Sequence, residues 1–155
     1  MTVLKIQTGS DNPILREKST PIDNIDKSIK KLAKDMLETM NANNGLGIAA
    51  PQVGVNKRMF ITTINQGTDH EGLITMINPV VEFTNDELEE GEEGCLSLPE
   101  LFKPVTRHKF VRVKYKDLKN NNHILDLEGL NARVIQHETD HLDGILFIDR
   151  VDEVI

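Results

Sequence analysis

A chain of 155 residues, 38% apolar and 28% charged, is long enough to bury a core without disulfides or a structural metal, and it reads as one domain over 1–155. Eighteen basic against 25 acidic residues give a net charge of −7, which argues against a nucleic-acid substrate. No apolar run approaches the roughly 20 residues of a membrane helix, no signal-peptide core follows Met1, and a lone Cys95 forms no intrachain disulfide, so a cytoplasmic location without membrane contact is expected.

In chain order, the first periodic segment starts at Asp26. Ile29, Leu32, Ala33, Met36, Leu37 and Met40 recur at three- and four-residue spacing with charged residues between them, which predicts an amphipathic helix ended by Asn41 to Gly45. Next comes Gly45-Leu-Gly-Ile-Ala-Ala-Pro-Gln52-Val-Gly54. Its small residues describe a backbone that something approaches closely, and Gln52 offers an amide donor. The same residues suit a tight loop packed on a sheet, and no Gly-Lys-Ser/Thr completes a phosphate loop. Strands are predicted over Arg58–Ile64 and Leu73–Ile77, joined by the turn-rich 66–72, with Pro79 limiting the pairing. The acidic run Asp86–Glu93 reads as mostly solvated surface. Lys109–Tyr115 and Ile124–Glu128, separated by Lys119–His123, predict a hairpin. A second helix is predicted from about Leu130 to Leu142, stopping at Asp143-Gly144.

That helix carries His137-Glu138-Thr139-Asp140-His141. Positions four apart differ by roughly 40° around a helix axis, so both imidazoles leave one face and can share a metal ion. Glu138 is turned roughly 100° from His137 by the same arithmetic and flanks the metal, where it can take a proton from water and hand it to a leaving group. A bare His-x-x-x-His pair is a common surface accident; the intervening Glu and a cysteine elsewhere favour a metal site. A catalytic ion needs about three protein ligands and one open position, and Cys95 is the third donor on offer. It sits in Glu93-Gly94-Cys95-Leu96-Ser97, where Gly94 permits close backbone approach and Leu96 presents its N–H beside the metal. Asp140, a charge inside the metal motif, needs a partner, and Arg107 is the expected one.

Gly45–Gln52, Glu93–Ser97 and Gln136–His141 together resemble the three signature motifs of the peptide deformylases, in that family's order and spacing, and the resemblance covers nearly the whole chain. It implies an α+β fold with antiparallel sheets around a central helix that bears the histidines. It also implies that Cys95, His137 and His141 bind the metal, Glu138 is the general acid/base, and Gln52 and the Leu96 amide hold the oxyanion. The implied metal is Fe²⁺, with Zn²⁺, Ni²⁺ or Co²⁺ as replacements. The implied reaction is N-terminal processing in protein biosynthesis: loss of the formyl group, as formate, from N-formyl-methionyl nascent polypeptides. Substrate contacts are expected from Gly45, Gly47, Glu93 and Gly94, with Leu130, Val134 and the aliphatic part of Arg133 lining the methionine pocket.

The chain departs from the family at two places. Many members continue into a further C-terminal helix, sometimes basic, that docks on the ribosome. Here only Leu142 to Ile155 follow His141, so a transient ribosome contact would need another route. Some members also carry an arginine soon after the cysteine motif, where this chain has Leu101-Phe102-Lys103. The competing readings are weaker. A metzincin-type protease would place a third histidine where Phe147 stands. A structural metal site would want a fourth ligand, and His70, His108 and His123 lack ligand-like spacing and read as surface residues. A nucleophilic Cys95 would leave both helix histidines without purpose.

Overall fold

The structure, a computed structural model, describes residues 2–151. It comprises α1 (Pro13–Arg16), α2 (Lys27–Ala42), β1 (Gly47–Ala49), a 3-10 turn (Ala50–Val53), β2 (Met59–Ile64), β3 (Gly72–Phe83), β4 (Leu88–Cys95), β5 (Leu98–His108), β6 (Phe110–Lys116), β7 (Asn122–Glu128), α3 (Leu130–Leu142) and a second 3-10 turn (Phe147–Arg150). Strands β1-β2-β3-β6-β7 form an antiparallel five-stranded sheet in that order, and β4 with β5 forms a separate two-stranded one. This is the expected α+β class. None of the described helices is long and apolar enough to cross a membrane.

The two long helices take opposite faces of the large sheet, and β2 shows why. Side chains alternate across a strand, so Met59 and Ile61 join the cluster under α2 with Ile29, Ala33, Met36 and Met40, while Phe60 joins the cluster under α3 with Ala132, Ile135 and Leu142. Each fully buried aliphatic or aromatic side chain contributes roughly 1.5–3 kcal/mol, so these two layers anchor the sheet. The Asp26 carboxylate accepts the Ile29 N–H at 3.1 Å and caps α2, and the helix closes with the Gly45 N–H donating to the Met40 carbonyl at 2.9 Å. A third cluster, Leu15, Leu98, Val105, Leu146 and Phe147, fastens the β4–β5 sheet to the C-terminal 3-10 turn.

Both long helices and the β6–β7 hairpin fall where periodicity places them. The β4–β5 sheet does not follow from the pattern. Asp86–Glu93 does expose most of its acids, yet from Leu88 it is a strand, and Glu93 is only 6% exposed. β3 runs on through Pro79 to Phe83; the pairing shifts by one residue between Ile77 and Val80, and a bulge absorbs the missing proline N–H. Asn78, at φ 51°, uses the bulge to hold Ile22 like a strand neighbour, accepting its N–H and donating to its carbonyl, both at 2.8 Å. His70 is exposed as expected, but His108 and His123 are half-buried, stacked on Phe83 and Tyr115. Between Leu142 and Val151 the described chain makes a turn and the short 3-10 segment instead of a further helix; 152–155, the end of the segment considered for docking, lies outside the described residues.

Candidate metal centre

α3 lies on the sheet through Ala132, Ile135 and Leu142, which leaves His137, Glu138 and His141 on its adjacent face. β4 delivers Cys95 against that face at its last residue, just before the tight Leu96-Ser97 connection to β5. One donor atom from each of Cys95, His137 and His141 lies within 4.8 Å of the others, and Cys95 Sγ is 3.3 Å from His141 Nε2. Burial opposes ionisation of the thiol, but His141 and His137 beside it pull Cys95 well below the usual thiol range. A thiolate with two imidazoles suits a first-row divalent ion. Three such donors, the only such group among the described residues, leave one coordination position open.

Each imidazole or its neighbour is held from behind. His137 Nδ1 is 2.8 Å from Glu93 Oε1, which leaves Nε2 for the metal side. Arg107 grips the same carboxylate through Nε and Nη2, both at 2.8 Å, and reaches Asp140 Oδ2 with Nη1 at 2.6 Å. The expected Arg107–Asp140 pair therefore forms, and Arg150 closes on the far side of Asp140 at 3.1 Å. Arg133 donates to Glu93 Oε2 at 2.7 Å and to the carbonyls of Val105 and Glu89. Burial works against the Glu93 charge, yet the hydrogen bonds from Arg107 and His137 hold its carboxyl far below the usual carboxylate range. Glu93 and Arg133, expected to touch substrate, thus point their charged ends at this network and offer the cavity only their remaining surface.

Glu138 is 3% exposed, and its Oε1 has no hydrogen-bond partner among the described residues. Burial pushes its carboxyl up, against the pull of His137 and His141. A Cβ added to Gly47 would sit 2.8 Å from Glu138 Oε2, so the close approach foreseen for this loop is that of the carboxylate. Gln52, in the 3-10 turn, accepts the Ala49 N–H with Oε1 at 2.9 Å, which aims Nε2 toward Cys95 Sγ at 3.4 Å and Ser97 Oγ at 3.1 Å.

These groups face one cavity of about 690 Å³. Gly45, Gly47, Gln52, Glu93, Gly94, Cys95, Leu96, Leu130, Arg133, Val134, His137 and Glu138 all line it, while His141 sits behind, 1% exposed. Sequence reasoning passed over Ser97, Thr62, Glu100 and Phe102. Ser97 orients Gln52; Thr62, Glu100 and Phe102 line the cavity. Only Ser97 carried a signal, its place inside the cysteine motif; the others reach the site by strand pairing.

Three donors, an open position and an unpaired carboxylate beside it are what splitting an acyl bond with water requires, so fold and centre together define a metal-dependent hydrolase. The family model described as polypeptide deformylase matches residues 3–154. A peptide deformylase of Natranaerobius thermophilus is 44% identical over 99% of this chain and 96% of its own length, and one of Synechocystis sp. is 47% identical over 90% and 74%. A crystal structure of peptide deformylase from Thermotoga maritima superposes with a TM-score of 0.90 at 40% identity, covering 97% of this chain and 99% of that one. The chain belongs to the polypeptide deformylase family. It is a hydrolase acting on an amide and removes the N-terminal formyl group from newly made polypeptides.

Proposed function

We propose that 1–155 is a single catalytic domain in which Cys95, His137 and His141 hold the metal ion that this family depends on, and Glu138 is the general acid/base. The observation that carries this reading is the convergence of the three donors within 4.8 Å of one another beside the cavity that also receives Glu138, whose Oε1 has no partner among the described residues. When bound, the ion supplies Lewis-acid polarisation of the formyl oxygen and acidifies a water. Gln52 Nε2 and the Leu96 N–H donate to the developing oxyanion. Glu138 takes a proton from the attacking water and gives it to the departing amine as the C–N bond breaks, so formate and a free methionine amine leave. Leu130, Val134 and the aliphatic part of Arg133 receive the methionine side chain, and Gly45, Gly47 and Gly94 leave room for the substrate backbone.

The resident metal in this reading is Fe²⁺, with Zn²⁺, Ni²⁺ or Co²⁺ able to replace it, because this donor set suits several first-row ions and availability selects among them. The protein works in the cytosol on N-formyl-methionyl chains as they are made.

Formate release from formyl-Met peptides, with acetyl-Met peptides as controls, tests the assignment alongside metal analysis. Glu138→Gln is expected to keep its metal and lose on the order of 10²-fold or more in kcat, because a general acid/base is removed and no ligand is lost. Metal loss in proportion to activity overturns the role of Glu138, and equal rates on formyl and acetyl peptides overturn the fit of the cavity to the smaller group.

A further inference from the structure

We infer that Glu100 and Glu92 make the mouth of the substrate cavity select formyl-methionyl chains whose next residues are basic. The inference rests on the reading that this cavity takes the substrate. The buried, unpartnered Glu138 Oε1 belongs to one of its lining residues. Both Glu92 and Glu100 line the same cavity, both are exposed, and neither forms an ion pair or side-chain hydrogen bond among the described residues. Apart from His137, which the centre itself uses, the one basic side chain lining the cavity among those residues is Arg133, whose guanidinium is already spent on Glu93 and on the carbonyls of Glu89 and Val105. No side chain of the described residues therefore pairs with the two exposed carboxylates, which leaves them for a cation that a substrate brings. Lys103, in the stretch where some relatives carry an arginine, is not part of the lining.

The backbone points the same way. The β4–β5 ladder pairs Cys95 with Leu98 and Gly94 with Phe102, so Pro99, Glu100 and Leu101 bulge out between two adjacent rungs. Glu100 sits on that bulge at φ 61°, a conformation glycine adopts freely and a glutamate does not. The position thus carries a carboxylate at the cavity although the backbone favours a residue with no side chain. Beside it Phe102 is 61% exposed, with one ring face so close to Gly94 that an added Cβ would lie 2.5 Å from Cε1. Its remaining surface offers an aromatic partner for the stem and cation of a lysine or arginine.

The test uses the full chain loaded with metal, three peptide amides (formyl-Met-Lys-Lys, formyl-Met-Gln-Gln and formyl-Met-Glu-Glu), and formate release at low and high salt. For exposed charges at a cavity mouth, the wild-type ratio of kcat/KM for the Lys over the Glu peptide is expected to be on the order of tenfold at low salt and to shrink as salt screens it. In Glu92→Gln/Glu100→Gln the ratio should fall by about threefold or more; each single variant should move it part of the way. Because the ratio is taken within one enzyme sample, differences in active fraction cancel. A wild-type ratio near one, or a double variant that keeps the wild-type ratio, overturns the inference while cleavage of the Gln peptide upholds the site. No formate from any peptide overturns the site assignment and the inference with it.

Discussion

Gly47 and Glu138 occupy the same few ångströms, which makes Gly47 a more informative position than its lack of a side chain suggests. An added Cβ would meet Glu138 Oε2 at 2.8 Å and Thr62 Oγ1 at 2.9 Å, so the buried carboxylate would have to leave its place beside the centre. Gly47→Ala is therefore expected to keep the metal, since none of the three proposed ligands is touched, and to lose on the order of 10²-fold in kcat through misplacement of the proposed proton carrier. Metal analysis beside single-turnover formate release checks this; a variant with unimpaired kcat would mean that Glu138 has freedom its surroundings do not show. His137 offers a second lesson at this scale. Its orientation is set by the Glu93 contact at 2.8 Å, so the imidazole is as much a product of β4 as of α3.

The join between α3 and the β4–β5 sheet is polar where most helix–sheet joins are apolar. Arg107 ties Glu93 to Asp140, and Gln136 clasps the His108 backbone from both sides, accepting its N–H at 3.1 Å and donating to its carbonyl at 2.8 Å. Buried ion pairs add little net stability, but losing one partner strands the others. Arg107→Met is thus expected to destabilise the protein by roughly 3–5 kcal/mol in urea unfolding and to weaken metal retention. Acid acts on the same join. Glu93 has a depressed folded-state pKa, so its contribution is complete above the unfolded value near 4.3 and is lost as pH falls from there toward the folded value. Wild-type stability should decline below about pH 4, and Glu93→Gln, less stable at neutral pH, should show a shallower decline. Parallel slopes in the two proteins would show that other carboxylates govern acid unfolding.

Across the whole molecule the metal is expected to act as a clasp, because its proposed ligands come from α3 and from the end of β4, two parts otherwise joined through the polar network. An ion bound at about a thousand times its Kd adds roughly 4 kcal/mol, so chelation should lower Tm by on the order of 10 °C in a chain of this length. Calorimetry of holo and chelated protein measures it, and an unchanged Tm would assign the site a purely chemical purpose. Iron-loaded protein should also lose activity in air, with oxidation confined to the metal and Cys95, whereas zinc-loaded protein holds its activity. Mass spectrometry of Cys95 beside the assay reads the outcome.

Local signals sufficed for everything that depends on near neighbours. The 3.6-residue period of 27–42 and 130–142, the Asp143-Gly144 stop and the four-residue spacing of His137 and His141 are helix properties, written in adjacent residues and visible without a fold. The chemistry was legible for the same reason, since His-Glu-x-x-His and a lone cysteine leave few other uses for a metal. Long-range pairing was not legible. A run of glutamates has no strand-like alternation of apolar residues, so β4 became visible only once Arg107, Arg133 and His137 supplied the partners that let Glu93 turn inward. The charge at the cavity mouth was hidden likewise: Glu100 reaches the site because β5 bulges against β4, a matter of register between strands that no local spacing encodes.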